Sequence, residues 1–259
     1  MANDTLGSSE AIDIIVVTWN RLPIFKASLL NLLERTADAA RFIIIDNQSN
    51  DGTWEWLQIL KDPKIKIFQP QKRQAHHENN NFGLQFVRSE LFVTTVDKML
   101  VFNPDWLSTL AKVLDSNPEI GAVAPTAVSV PGSHFAGTWI GRGLKIVKGT
   151  FGAYLRMQRK SEMVALGFRP APHRLHSEDR GFAMLLAEIG KTAVLDGSLS
   201  MMNLLQGPPL TPSKHSLFMQ EYDKNKVQEW PIWRYAERFL KNGSFDQPEQ
   251  DEKDSLRFG

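Results

Sequence analysis

Three acidic segments, far apart in a chain of 259 residues, have side chains that can do chemistry together. They are Asp46 in Ile45-Asp46-Asn47-Gln48-Ser49-Asn50-Asp51-Gly52-Thr53, Asp97 in Thr94-Thr95-Val96-Asp97-Lys98-Met99, and the pair Glu178-Asp179. A carboxylate beside an attacking hydroxyl can take its proton, and positive charge can offset what develops on a departing group. Asp179 is the candidate for the first role. Glu178 can share a proton with it, raise its pKa, or bind a hydroxyl itself; an acidic first turn favoured by the helix dipole accounts for the same pair without chemistry. Asp46, Asn47 and the segment Val17-Thr18-Trp19-Asn20-Arg21 each leave an apolar run and enter a helical one. Asp46 can there accept from a nucleobase imide and helix N-termini can face phosphate, while plain turn and cap duty explains the same residue types.

These residues need a frame, and the hydrophobic pattern supplies one. Ile12 to Val17, Arg41 to Ile45, Ile65 to Phe68 and Leu91 to Val96 read as short buried strands. Helices are predicted from Leu22 to Leu33, around Trp54, Leu57 and Leu60, from Asn79 to Arg88, and from Asn103-Pro104 to Asn117-Pro118. Strands alternating with helices imply an α/β fold, a mostly parallel central sheet with helices on both faces, with ligands gathering at the carboxyl ends of the strands. Gly137 to Lys160 reads as loop-rich and cationic, followed by a helix from Asp179 to Ile189 that stops at Gly190. The expected domains are 10–205, a C-terminal helical extension over 206–242 that includes an amphipathic helix from Val227 to Leu240, and a disordered polar tail over 243–259.

Ile14-Ile15-Val16-Val17-Thr18-Trp19-Asn20-Arg21, Ile43-Ile44-Ile45-Asp46-Asn47-Gln48-Ser49-Asn50-Asp51-Gly52-Thr53, Asn81-Phe82-Gly83-Leu84, Asn103-Pro104-Asp105-Trp106-Leu107 and Ser177-Glu178-Asp179 resemble, in order and spacing, glycosyltransferase family 2 with the GT-A fold. The resemblance runs from about residue 12 to 200. It implies an inverting enzyme that binds a nucleotide-sugar (UDP-, GDP- or dTDP-linked) through Thr18, Asn20, Arg21, Asp46, Asn47 and the neighbourhood of Asp97 and Lys98. It also implies Asp179 as the base, with Gly152 to Asp179 framing the acceptor.

The chain departs from that family at one position of consequence. Members commonly carry Asp-x-Asp after the fourth strand, where this chain has Asp97, Lys98 and Met99. Mg²⁺ and Mn²⁺ want several hard oxygen ligands, and one carboxylate beside a thioether is a poor set. Either Asp97 holds Mg²⁺ or Mn²⁺ mostly through the donor diphosphate and water, or cationic side chains replace the metal, with Lys98, Arg142, Lys145, Arg156 and Arg159 as candidates. No dedicated metal ligand is assigned. His76-His77-Glu78 lacks the i, i+4 pairing of a zinc site and reads as solvated, while Lys72-Arg73 can reach a diphosphate or serve as surface charge. Trp139, in the Gly-rich stretch, is expected to line the acceptor or donor pocket, and His176 to touch the acceptor. Trp54, Trp56 and Trp106, at helical spacing, are expected in the core.

Composition narrows the rest. Lys+Arg 30 against Asp+Glu 29 leaves a net charge of +1, too little to recruit nucleic acid globally. With no Cys there is neither a thiolate nucleophile nor a disulfide framework. The polar start lacks a secretory layout and no apolar run reaches the roughly 18 residues of a membrane span, so a cytoplasmic enzyme is expected, with peripheral contact through Trp230, Trp233 and the nearby cations as the membrane option. The expected activity is a bacterial hexosyl transfer to a glycan, glycolipid or glycoprotein, as in polysaccharide biosynthesis. The alternative is a catalytically inactive GT-A-like binding module that partners another synthase. A nucleotidyltransferase is disfavoured, because Thr18-Trp19-Asn20-Arg21 stands where a Gly-rich phosphate loop with a following Lys belongs.

Overall fold

A computed structural model describes residues 11–127, 137–139, 144–147, 154–167, 182 and 185–203. Ile12–Thr18 (β1), Ala40–Asp46 (β2), Ile65–Phe68 (β3) and Leu91–Val96 (β4) pair in parallel in the order β3-β2-β1-β4. Leu22–Arg35 (α1), Thr53–Ile59 (α2) and His76–Leu84 (α3) make the crossovers. A short strand, Met99–Val101 (β5), leads to Trp106–Ser116 (α4) and Ile120–Ala127 (β6). Gly137–Trp139 (β7), Leu144–Val147 (β8), Leu155–Arg159 (β9), Lys160–Ala165 (α5) and Thr192–Asn203 (β10) follow among the described residues. Among the described residues the sheet has ten strands and continues from β4 through β9, β6, β10 and β8 to β7, with β5 on β10. Because β9 runs antiparallel to both β4 and β6, and β10 runs parallel to β6, six of the seven strands from β3 to β10 share one direction.

The continuous β-branched run of β1 is explained by cover on both faces. Ile14 and Val16 point into a cluster with Phe25, Leu29 and Leu32 of α1 and Leu107, Leu110 and Leu114 of α4. Ile15 and Val17 point the other way, toward Leu84 of α3, Met163 of α5, Phe182 and Leu186. A parallel strand buried twice has no polar alternation to show, which is why the run reads as uniformly apolar. Gly83 lets α3 close on the sheet: a Cβ there would sit 2.8 Å from Ile15 Cγ2.

The four early strands fall where the sequence places them, within one residue at each end, but two expectations are corrected. The third helix spans His76–Leu84 instead of 79–88, because Glu78 Oε2 accepts the Ala75 amide at 2.7 Å and starts it early. The stretch 137–160 contains β7, β8 and β9, too short to show a period, and Lys160 opens α5. Among the described residues no helix is long and apolar enough to cross a membrane. The predicted helix Val227 to Leu240 and the tail from 243 lie outside the described residues, and so does the start of the helix predicted from Asp179; residues 185–188 are helical.

Candidate active site

Parallel register brings the loops after β1, β2 and β4 to one edge: Thr18 lies opposite Asp46, and Val17 opposite Val96. The loops are then laced together. The Asn47 amide donates to the Thr18 carbonyl at 2.9 Å, Asn20 N donates to Ser49 Oγ at 3.0 Å, and Asn50 N donates to Asn20 Oδ1 at 2.8 Å. Asn20 and Gln48 turn these corners with left-handed backbone, φ 49 and 61. Asp51 fixes both helix starts, accepting from Leu22 N at 2.9 Å and from Thr53 N and Oγ1 at 3.1 and 2.6 Å.

Asp97 sits where β4 ends and is 1% exposed. Thr18 Oγ1 donates to it at 3.2 Å, the Trp19 amide at 3.3 Å, and Arg21 Nη1 forms an ion pair with it at 3.1 Å. Burial pushes the Asp97 carboxyl above the usual aspartate range, and Arg21, Trp19 and Thr18 only partly reverse this. The neighbouring Lys98 ammonium lies 5.2 Å from the Tyr154 ring centre; burial, then repulsion from Arg21, holds its pKa below the usual lysine value against the pull of Asp97.

These residues open onto a cleft of about 470 Å³. Of the residues singled out from sequence, Thr18, Arg21, Asn47, Asp97, Lys98 and Arg156 line it. Arg73 lines it too, stacked 3.5 Å from the Trp19 ring centre, so the Lys72-Arg73 motif contributes its second member. His76, expected to be a solvated loop residue, opens α3 and also borders the cleft. Arg156 is 1% exposed and its guanidinium lies 4.1 Å from the Phe182 ring centre.

Other candidates fall elsewhere. Asp46 has no accessible surface: Gln69 Nε2 donates to its Oδ2 at 2.8 Å, and among the described residues its Oδ1 has no hydrogen-bond partner. Asn20 holds the neighbouring loop and does not border the cleft. Arg159 is corrected from charge-offsetting candidate to structural residue, because it pairs with Leu91 at the far end of β4 and bonds the Ile120 carbonyl at 2.7 Å and Glu162 at 3.1 Å. Trp139 is placed by its backbone alone, opposite Lys145 in β7 and β8. Arg142, His176, Glu178 and Asp179 lie outside the described residues. Sequence reasoning missed Gln74, Asn79, Asn80 and Tyr154 of the lining. The only local signal was the polar run around Asn79; Gln74 is fixed by a reciprocal pair with Asn47, its amide donating to Oδ1 at 2.8 Å and its carbonyl accepting from Nδ2 at 2.9 Å.

The residues at the Asp-x-Asp position do not suit a divalent cation. Met99, at the third position, is 0% exposed and belongs to the core, with its carbonyl accepting from Ser28 Oγ at 2.7 Å. Both Asp97 oxygens are already engaged by donors. Among the described residues the protein offers one carboxylate, already paired with a guanidinium, short of the several oxygens that Mg²⁺ or Mn²⁺ needs.

A parallel half-sheet feeding one cleft, with an acid after its fourth strand and an antiparallel strand inserted beside it, is the GT-A arrangement of glycosyltransferases. The chain belongs to glycosyl transferase family 2, which matches residues 13–161. An uncharacterized protein of Sinorhizobium fredii, y4gI, is 27% identical over 137 residues, which are 51% of this chain and 15% of that protein. Among solved structures, GalNAc-T7 with UDP, GalNAc and Mn²⁺ superposes with a TM-score of 0.63 at 12% identity, over 74% of this chain and 43% of that one. A mannosyltransferase of Pyrobaculum calidifontis in complex with GDP-Man and Mn²⁺ gives 0.57 at 16% identity, over 91% and 77%. S. aureus TarS 1-349 with UDP-GlcNAc gives 0.56 at 14% identity, over 75% and 59%. At these identities the likeness is one of fold.

Proposed function

We propose that this chain is an inverting glycosyltransferase that moves a sugar from a nucleotide-sugar to an acceptor hydroxyl of a glycan, glycolipid or glycoprotein. The observation that carries the reading is the cationic cleft at the carboxyl ends of β1, β2 and β4, with Asp97 locked to Thr18, Trp19 and Arg21 at its floor. Similar folds are known with UDP, GDP-Man and UDP-GlcNAc bound, which supports a nucleoside diphosphate as the donor's leaving group. In this reading the acceptor oxygen attacks the anomeric carbon, the bond to the diphosphate oxygen breaks with its electron pair staying on that oxygen, and Asp179 takes the acceptor proton. Glu178 is its neighbour, His176 is a candidate for the acceptor side, Trp139 for the acceptor or donor pocket, and Arg142 for offsetting the diphosphate.

A thermal-shift panel of UDP, GDP, dTDP and their sugar conjugates tests this. Binding of one ligand at 100 times its Kd raises stability by about 2.7 kcal/mol, enough for a clear shift in Tm. No shift with any of them refutes the reading. Met99 at the metal position also suits a module that binds donor without turnover, and the absence of sugar release or transfer from a donor that does bind would select that reading.

A further inference from the structure

We propose that the donor diphosphate is neutralised here by side-chain cations, Lys98 first among them with Arg21 and Arg156, in place of a divalent metal. This deepens the nucleotide-sugar reading and rests on it. The metal position is closed: the third residue is a core methionine in a strand paired with β10, and the first is a carboxylate whose oxygens are taken by Thr18, Trp19 and Arg21. A cation on Asp97 would have to share Oδ1 with the Arg21 guanidinium, which places that positive charge beside the metal.

The charge balance of the cleft points the same way. Among the described lining residues, Arg21, Arg73, Lys98 and Arg156 stand with one carboxylate, Asp97. Such a lining attracts a diphosphate. Lys98 is the cation least committed elsewhere: among the described residues it has no hydrogen-bond or ion-pair partner, and its ammonium lies over the Tyr154 ring at 5.2 Å. The negative charge next to this half-buried ammonium among the described residues is Asp97, which is itself paired with Arg21. A diphosphate oxygen would supply the missing counter-charge. As the anomeric carbon to oxygen bond breaks and the pair settles on that oxygen, an ammonium beside it offsets the new charge, the task a metal performs elsewhere.

The test is calorimetric titration of the full chain with UDP, GDP and dTDP and with uridine, guanosine and thymidine, each in excess EDTA and in excess Mn²⁺. At least one diphosphate is expected to bind in EDTA more tightly than its nucleoside, with Mn²⁺ changing its affinity by less than about twofold. Lys98→Met should weaken the diphosphate about tenfold, leave the nucleoside unchanged, and be largely rescued by Lys98→Arg. Lys98→Gln serves if the methionine variant does not fold, judged by Tm. Diphosphate binding that appears only with Mn²⁺, or a diphosphate-to-nucleoside ratio unmoved by Lys98→Met, overturns this inference and leaves the nucleotide-sugar reading standing. No binding of any nucleotide under either condition overturns both.

Discussion

Arg21 and Asp97 form an ion pair, 3.1 Å from Nη1 to Oδ1, between a guanidinium that is 37% exposed and a carboxylate that is 2% exposed. The pair ties the loop after β1 to the end of β4, two segments that lie 76 residues apart. Its two halves are unequal. The buried acid depends on the arginine, because Thr18 and the Trp19 amide at 3.2 and 3.3 Å are longer contacts, while the arginine can be satisfied by water or by an anion in the cleft.

Arg21→Met is therefore expected to destabilise the chain by about 1 to 2 kcal/mol at neutral pH, below the 3 to 5 of a fully buried pair because the arginine is partly solvated. Urea unfolding measures it. The loss should shrink on acidification, since removing Arg21 raises the Asp97 pKa further and protonation then removes the uncompensated charge. A loss that is the same at neutral and acidic pH contradicts this account.

Asp97→Asn should behave in the opposite sense. Burial raises the folded pKa of Asp97 above its unfolded value near 3.9, so the folded state binds the proton more tightly. Stability from this group is gained as pH falls from above the folded pKa toward 3.9, and at neutral pH the ionised carboxylate is a net cost. The asparagine variant removes that cost and loses the ion pair, so its Tm at neutral pH is expected within a few degrees of wild type, with a flatter acid limb. Binding of nucleoside diphosphate should nevertheless weaken, because Arg21 is released from its position.

Asp13 occupies the other end of β1 and gives a contrasting case. Burial alone would raise its pKa, but Arg41 at 2.8 and 2.9 Å with the Ser89 and Arg88 amides at 3.0 and 2.6 Å overrides this and holds the carboxyl below the usual range. A depressed pKa contributes stability above about 3.9 that is lost as pH falls through the folded value. Asp13→Ala should cost about 2 to 3 kcal/mol at neutral pH, and the difference from wild type should close at strongly acidic pH. Nucleotide affinity should not move, because the residue sits at the far end of the strand from the cleft.

In the first half β1, β2 and β4 were legible because each is buried on both faces, and α1 and α4 because each carries one apolar stripe, whereas the polar α3 has no such stripe and its bounds were missed. What the sequence hid was long-range. β9 reads Leu155-Arg156-Met157-Gln158-Arg159, which looks like a solvated cationic loop, yet Arg156 and Gln158 are each 1% exposed in a central strand. Nothing local announces a buried arginine. Tyr154 and Asn80 reach the cleft because β9 pairs with β4 and α3 packs under β1, contacts with no signature in spacing. The surroundings of Asp46 were equally hidden: Gln69, more than twenty residues on, donates to its Oδ2, as does the Ser49 amide.

Asp179 owes its proposed role to its sequence context after the cationic stretch. If it takes the acceptor proton, Asp179→Asn leaves the nucleoside diphosphate contacts of the cleft intact and removes only the proton acceptor. Donor affinity by calorimetry should stay within about twofold of wild type while transfer falls by about two to four orders of magnitude, the scale of general base catalysis. Glu178→Gln separates the pair. As a mere neighbour, Glu178 raises the pKa of Asp179 by repulsion, so its neutralisation should shift the acid limb of the transfer rate to lower pH with little change in the maximum. If Glu178→Gln abolishes transfer and Asp179→Asn does not, the two assignments are exchanged. If neither matters, another residue is the base.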